Sequence, residues 1–500
     1  MAGLAEFTNP LMEAQARLVG TPRTHATVAI GYPLLVAAVC MICYRSMQPI
    51  TLGAIAAGAL PFLIGMQGLL LVLLGGSAIR QAVLRDFSTD MIDSHRLTAM
   101  RPATVVAGYL AGPTFQLGIL AMENWLIGLL ACALLPTRPL VGWTLLNGFI
   151  LSFAFMSGSV SLAFAMATRG RGNAMALLFV AGFLGGVLFA RTAPFLIVLF
   201  GPLLVFIKLS GIAVGVTPPD AMWLAVPLQL GLGLTFCTAA ARRYRRADMQ
   251  AFSPRLAMLL LLQVALVATL ALLSAESLWQ AVFPAQAGRF EMGVWPVFTN
   301  LVAIALLALL PVASAAKQSG RWERRRRLDA IFRDPPPTAY LLWTALSMLV
   351  VLAASVACER ALDAGIVTSA LRVSRLSMAW HWCAGFFLSL GLLLSAAYLR
   401  RAYARADTVL GRSGLILGAI WLMPIVIELA LFVIWTSAGV GDEYIVSPTL
   451  YFSPLGAATA VLLGSEAITL LPGLAFQVLL TVFLLSRRTS QAPIPANAAF

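Results

Sequence analysis

Apolar runs of about 18 residues or more recur along almost the whole chain, and they restrict its fold more than any other feature. About 20 residues of helix cross a hydrocarbon core of about 30 Å. In lipid, a spanning segment must satisfy its own backbone hydrogen bonds, which selects helices for runs of this kind. The first half places spans near 26–44, 52–78, 104–135, 140–168, 173–190 and 221–240. The second half places them near 256–275, 295–316, 338–358, 377–398, 414–438 and 467–486. Two further apolar stretches, 194–216 and 448–464, are interrupted by Pro194, Gly201 and Pro202 and by Pro448 and Pro454. They read as re-entrant or interfacial, because backbone broken at membrane depth survives where protein or a cavity covers it. Full crossing by either remains open. The expected fold is all-α: a polytopic transmembrane helical bundle of about 12 spans.

Charge placement sets orientation. Of the 500 residues, 60% are hydrophobic and 11% charged, against about 25% charged in soluble domains. The net charge of +14 is held in short clusters at the ends of apolar runs, "RRYRR" at 242–246, "RWERRRR" at 321–327 and "LRRAYAR" at 399–405. With twelve crossings and both termini cytoplasmic, about 26 of the 34 Lys and Arg fall on the inner side, the asymmetry expected of cytoplasmic loops. Anionic lipid headgroups are the natural partner of such clusters. Nucleic acid is not, because no basic surface domain exists to carry it.

The halves follow one plan of two spans, a charged inner loop, two spans, a basic turn, one span, a Pro-broken piece and a last span. This predicts two parallel six-span repeats. The domain boundaries expected are 1–25 for an N-terminal interfacial elbow, 26–240 for a first transmembrane unit and 241–255 for a basic linker. A second unit at 256–488 and a tail at 489–500 follow. Internal repeats of this kind are typical of transporters. Glu6 and Glu13 ahead of the first apolar run argue against a cleavable signal peptide.

Little in the chain carries covalent chemistry. Its two lysines, Lys208 and Lys317, lack the glycine-rich spacing of a phosphate-binding loop. His25, His95 and His381 are far apart and form no H-E-x-x-H. Cys40 and Cys43 have a C-x-x-C spacing, but inside an apolar run and without a second pair, so burial is the expected state. No catalytic, metal or cofactor site is expected. Glu123 in "LAMENWLIG" and Glu428 in "MPIVIELAL" lie inside predicted spans, where a charge costs on the order of 3 kcal/mol. They are candidates for a substrate path, with Pro424 opening the helix near Glu428. Hydrogen-bonded packing residues are the alternative.

The polar island "RDFSTDMIDSHRLTAMRP" at 85–102 stands out between two apolar segments. If continuous, a helix over 86–97 places Asp86, Asp90 and Asp93 on one face, at i, i+4 and i+7; alternatively Ser88 or Thr89 caps a fresh helix start. A solvated loop is the other reading. From Ile92-Asp93, Leu97-Thr98, Met100, Pro102, Val105-Val106, Gly108 and Leu110, the stretch "MIDSHRLTAMRPATVVAGYL" that overlaps the island resembles the segment after the second span of ABC-2 type permeases, the membrane subunits of many ABC exporters. It departs from their pattern at Asp90-Met91, Ala99 and Tyr109. "FTNPLMEAQARL" at 7–18 resembles the elbow helix of the same family, with Asn9 as N-cap and Pro10 at the first helical position. Leu11, Met12 and Leu18 would then enter the interface, and Glu13, Gln15 and Arg17 would face water.

The resemblance implies a permease in a bacterial cytoplasmic membrane, moving an unidentified substrate. A separate ATPase subunit would bind ATP and push on the cytoplasmic loops. It assigns Asp86, Asp90, Asp93, Arg96, Thr98 and Pro102 to the coupling loop. It assigns Arg324, Arg327, Asp329 and Arg333 to a second loop over 317–337 that ends in the stiff "DPPP". An ion-gradient-driven secondary transporter or flippase is the competing expectation. A membrane enzyme would need larger outer loops.

Overall fold

The computed structural model describes residues 9–46, 51–98, 100–136, 138, 140–168, 225–245, 250–273, 294–328, 339–363, 380–405, 412–437, 448–462 and 467–486. The described residues are predominantly helical, without strands, and seven helices are long and apolar enough to cross a membrane. This is the build of an integral membrane protein. The chain divides into two compact units, 1–251 with 270–290, and 252–269 with 291–500.

The first unit opens with α1 (Pro10–Val19) and α2 (Pro22–Ser46). Next, α3 (Leu52–Gly68) runs through a π-helical stretch, Leu69–Leu74, directly into α4 (Gly75–Ser88). The result is one helix of 37 residues, about 55 Å long. It outlasts the hydrocarbon core, so the span expected over 52–78 carries Arg80, Arg85 and Asp86 onward on the same rod. The short α5 (Met91–Leu97) follows, then α6 (Pro102–Ala111), α7 (Phe115–Ala133), α8 (Leu140–Thr168) and α9 (Ala225–Arg245).

The single span expected over 104–135 is two helices. Pro113 has no N–H to donate, and its ring opposes the preceding turn. The Thr114 hydroxyl donates to Leu110 O at 2.6 Å and takes up a carbonyl at the break. With 10 residues, α6 is about 15 Å long, half a crossing. It packs against α1, α4, α8 and α9.

Small residues let these helices approach, as in membrane bundles generally. Gly108 of α6 and Gly112 at its C-cap form a G-x-x-x-G, and a methyl group at either would meet Leu11 at 2.9 Å or Gln15 at 2.6 Å on α1. Gly128 of α7 faces the indole of Trp143 on α8 with no room for a Cβ, and Trp143 Nε1 donates to Trp125 O at 2.9 Å. Between α8 and α9, Ser152 donates to Gln229 Oε1 at 2.5 Å, while Gly233 lies under Phe155.

The second unit contains most of α10 (Pro254–Leu273), then α11 (Val294–Leu328), α12 (Ala339–Asp363), α13 (Trp380–Arg405), α14 (Arg412–Ser437), a 3₁₀ turn at Pro448–Phe452, α15 (Pro454–Leu462) and α16 (Ala467–Ser486). At its centre α13 touches α11, α12, α15 and α16. Trp421 Nε1 donates to Ser395 Oγ at 2.9 Å, fastening α14 to α13. Of the Pro-broken piece at 448–464, residues 448–462 are described: the 3₁₀ turn followed by a nine-residue helix about 14 Å long. Its backbone is covered: Ser453, Ala457, Ala458 and Ala460 are fully buried, and Gln477 Nε2 donates to Tyr451 O at 3.0 Å. The other Pro-broken piece, 194–216, lies outside the described residues, as does the span expected over 173–190.

Candidate functional site

The polar island forms neither a continuous helix nor a slack loop. Helix α4 ends where the Ser88 and Thr89 hydroxyls donate back to Arg85 O, at 2.7 and 3.0 Å. Asp90 then takes a left-handed conformation, φ 55°, which Asp tolerates better than most residues. Its carbonyl accepts from Asp93 N and Ser94 N and starts α5. Neither Ser88 nor Thr89 is the N-cap, and the turn at Asp90 removes the common face expected for Asp86, Asp90 and Asp93.

The three carboxylates have different surroundings. Asp86, 4% exposed, is turned inward. It accepts from Gln15 Nε2 at 2.8 Å and from Tyr109 Oη at 2.6 Å, and Arg85 donates to Gln15 Oε1 at 2.6 Å. One carboxylate therefore ties α1 and α6 to the end of α4. Gln15 was expected to face water, yet it is buried, because α1 lies with Leu11 and Gln15 against the glycines of α6. The Asn9 cap is as expected, its Oδ1 accepting from Leu11 N and Met12 N, and its amide adds a bond to Thr104 O at 2.6 Å.

Asp93 is exposed and pairs with Arg96 at 2.6 Å. The same guanidinium reaches the C-terminal end of α9, donating from Nε to Tyr244 O at 2.8 Å and from Nη2 to Arg243 O at 3.5 Å. A cation at orphan carbonyls satisfies them and complements the helix dipole. Burial raises the Tyr244 phenol above its ordinary range, with Arg96 pulling the other way. Ile92, 1% exposed, anchors α5 from beneath. Thr98 closes α5 by donating to His95 O at 2.6 Å, and Pro102 is the first residue of α6. Exposed on α5 and its N-cap are Asp90, Met91, Asp93, Ser94 and Leu97, the last 90% exposed.

In the second unit, helix continues through the expected loop as far as Leu328, which puts Arg324 and Arg327 on the extended α11. The run from Lys317 carries no Pro or second Gly to stop a helix before that point. Asp329 and Arg333 lie outside the described residues.

Glu428 is buried on α14, which runs unbroken from Arg412 to Ser437 instead of opening at Pro424. Glu123 is half-buried on α7. It borders a cleft of about 550 Å³ lined by Met12, Ala111, Thr114, Phe115, Gly118, Ile119 and Met122. Next to it is a polar knot absent from the expectations. Fully buried Asn124 donates to Leu63 O at 2.6 Å and to Gln67 Oε1 at 2.9 Å, and accepts from Tyr32 Oη at 3.0 Å. Gln67 Nε2 completes it by donating to Ala121 O at 3.2 Å. These bonds join α2, α3 and α7 inside the apolar bundle, where polar pairs contribute about 0.6–2 kcal/mol each. Asn124→Leu is expected to lower the melting midpoint in detergent by several degrees, read by size exclusion after heating. An unchanged midpoint would show that the knot holds nothing together. Isolated Asn and Gln inside apolar runs were the signal that sequence reading passed over.

Comparison with known protein families, with characterised proteins and with solved structures finds no match.

Proposed function

We propose that the chain is a membrane-spanning permease subunit of the ABC-2 type, made of two permease-like units, whose α4–α5 elbow takes mechanical work from a separate ATPase. The observation that carries this reading is how the elbow is fastened. Asp86 bonds it to α1 and α6, and Arg96 bonds it to the end of α9. A push on α5 therefore reaches at least three other helices without slack. Its outward side combines two carboxylates with exposed Met91 and Leu97, a mixture suited to a protein surface more than to water alone. The units also share a feature expected of repeats. In each, the second expected span runs on as helix into the charged stretch, for 37 residues in one and 35 in the other.

The test separates contact from folding. The variant Asp90→Asn, Met91→Ser, Leu97→Ser leaves Asp86, Ile92 and Arg96 in place and keeps at position 90 a residue that tolerates the left-handed turn. Isolated from its native membrane with an affinity tag, the parent chain should bring an ATPase subunit with it. The variant should lose at least about nine-tenths of that subunit, because loss of a charge and loss of apolar anchors act together at the centre of a contact. Equal recovery from both would remove the elbow from the interface.

A second reading, an ion-gradient-driven transporter or flippase, draws on the Glu123 carboxylate, whose Oε2 is buried without a hydrogen-bond partner. Intramembrane acids in that state serve as proton sites in transporters. Uptake driven by a proton gradient in ATP-free vesicles containing the chain alone would favour it over the ATPase-coupled reading.

A further inference from the structure

We infer that the cleft beside Glu123 is a binding site for lipophilic cations, molecules with one positive charge on a compact apolar body. The cleft lies within the first unit, between α1, the α6–α7 break and the first half of α7. Six of its lining side chains other than glycine are apolar or carry a methyl group: Met12, Ala111, Thr114, Phe115, Ile119 and Met122. Its volume falls in the range of about 300–1,000 Å³ usual for drug-sized ligands. The break at Pro113 keeps it open, since a continuous helix would carry α6 on along the same axis instead of turning it onto α1.

One acidic group faces this apolar wall. Glu123 Oε2 is buried and accepts no hydrogen bond among the described residues. Glu123 makes no ion pair among them either, whereas Asp86 and Asp93 have bonded partners. Glu123 lies eight residues into α7, about 12 Å from its start, so an apolar body along Phe115 and Ile119 can bring a cation to the carboxylate. An anionic guest would meet the same charge as repulsion, and a neutral one without a hydrogen-bond donor would leave Oε2 unsatisfied. Charge complementarity therefore selects a cation. This deepens the permease reading by naming a substrate class, but binding itself requires neither the ATPase nor its partner surface.

The experiment uses the full chain in nanodiscs without nucleotide, with tritiated tetraphenylphosphonium as probe and empty nanodiscs as the blank. Saturable binding is expected, and tetraphenylborate, of the same shape and opposite charge, should show none in a separate titration. Glu123→Gln should weaken the phosphonium about tenfold or more, the scale of losing a charged partner, while Glu123→Asp recovers part of it. Gly118→Trp provides a second route. A Cβ at Gly118 meets nothing within 4 Å, so the indole should occupy the cleft with the bundle intact and abolish binding at an unchanged melting midpoint. Binding that survives both Glu123→Gln and Gly118→Trp, or equal binding of the borate, overturns the site. Loss with Gly118→Trp but not with Glu123→Gln overturns its cationic selectivity. Because no ATPase is present, failure here is distinct from failure of the elbow test above.

Discussion

Replacing Gly128 with valine is expected to destabilise the first unit by about 3 kcal/mol or more, the upper end of the cost of overpacking a filled core. The site has no slack. A Cβ at this position lands within the indole of Trp143, itself 4% exposed and held by its bond to Trp125 O. Either the indole leaves its bond, stranding a buried N–H, or α7 and α8 separate. The readout is the melting midpoint of detergent-solubilised protein, with Gly148→Val as control, because a Cβ at Gly148 meets nothing within 4 Å. Adding Trp143→Val to Gly128→Val should return part of the loss, as expected for two residues that share one volume. If Gly128→Val and its control melted together, the close packing of these helices would be refuted.

Asp86→Ala should have a comparable effect by a different route. It strands two buried donors, Gln15 Nε2 and Tyr109 Oη, at about 1–3 kcal/mol for each group left unsatisfied. Helix α1 should then detach. Amide exchange across residues 10–19 should rise steeply, while α8 exchanges as before. Asp86→Asn, which keeps one acceptor oxygen, should fall between parent and alanine. Glu13→Ala on the outer side of α1 removes only an exposed i,i+4 pair with Arg17 and should change stability by less than about 0.5 kcal/mol. Protection of α1 that is indifferent to Asp86→Ala would mean that its seating depends on the glycines of α6 alone.

These two sites differ in how far they could be read from the chain. Gly128 stands in an apolar run with nothing to distinguish it, and its role depends on an indole that arrives from the next helix. Asp86 was visible as a charge in a polar island, and its spacing from Asp90 and Asp93 suggested a shared outward face. The left-handed turn at Asp90 cancels that face, and the two donors to Asp86 are 71 residues upstream and 23 downstream. The cap on α1 was legible because Asn9 and Pro10 act on backbone within three residues. Gln15, further along the same helix, was misplaced because its neighbours are on α4 and α6. Pro113 was in plain view, but a long apolar run made 104–135 look continuous.

By itself the sequence determined that the chain is helical and built for a bilayer, since hydropathy and backbone hydrogen bonding are settled within each segment of about 20 residues. It also determined where some ends and breaks fall, through Asn, Pro and Gly acting on their own turns. Which polar groups meet was decided by the tertiary structure alone. Asp86 with Tyr109, Asn124 with Gln67, and Arg96 with the last carbonyls of α9 depend on which faces of separate helices come together. In an apolar interior each such group is driven to a partner by the cost of lacking one, whatever its distance along the chain.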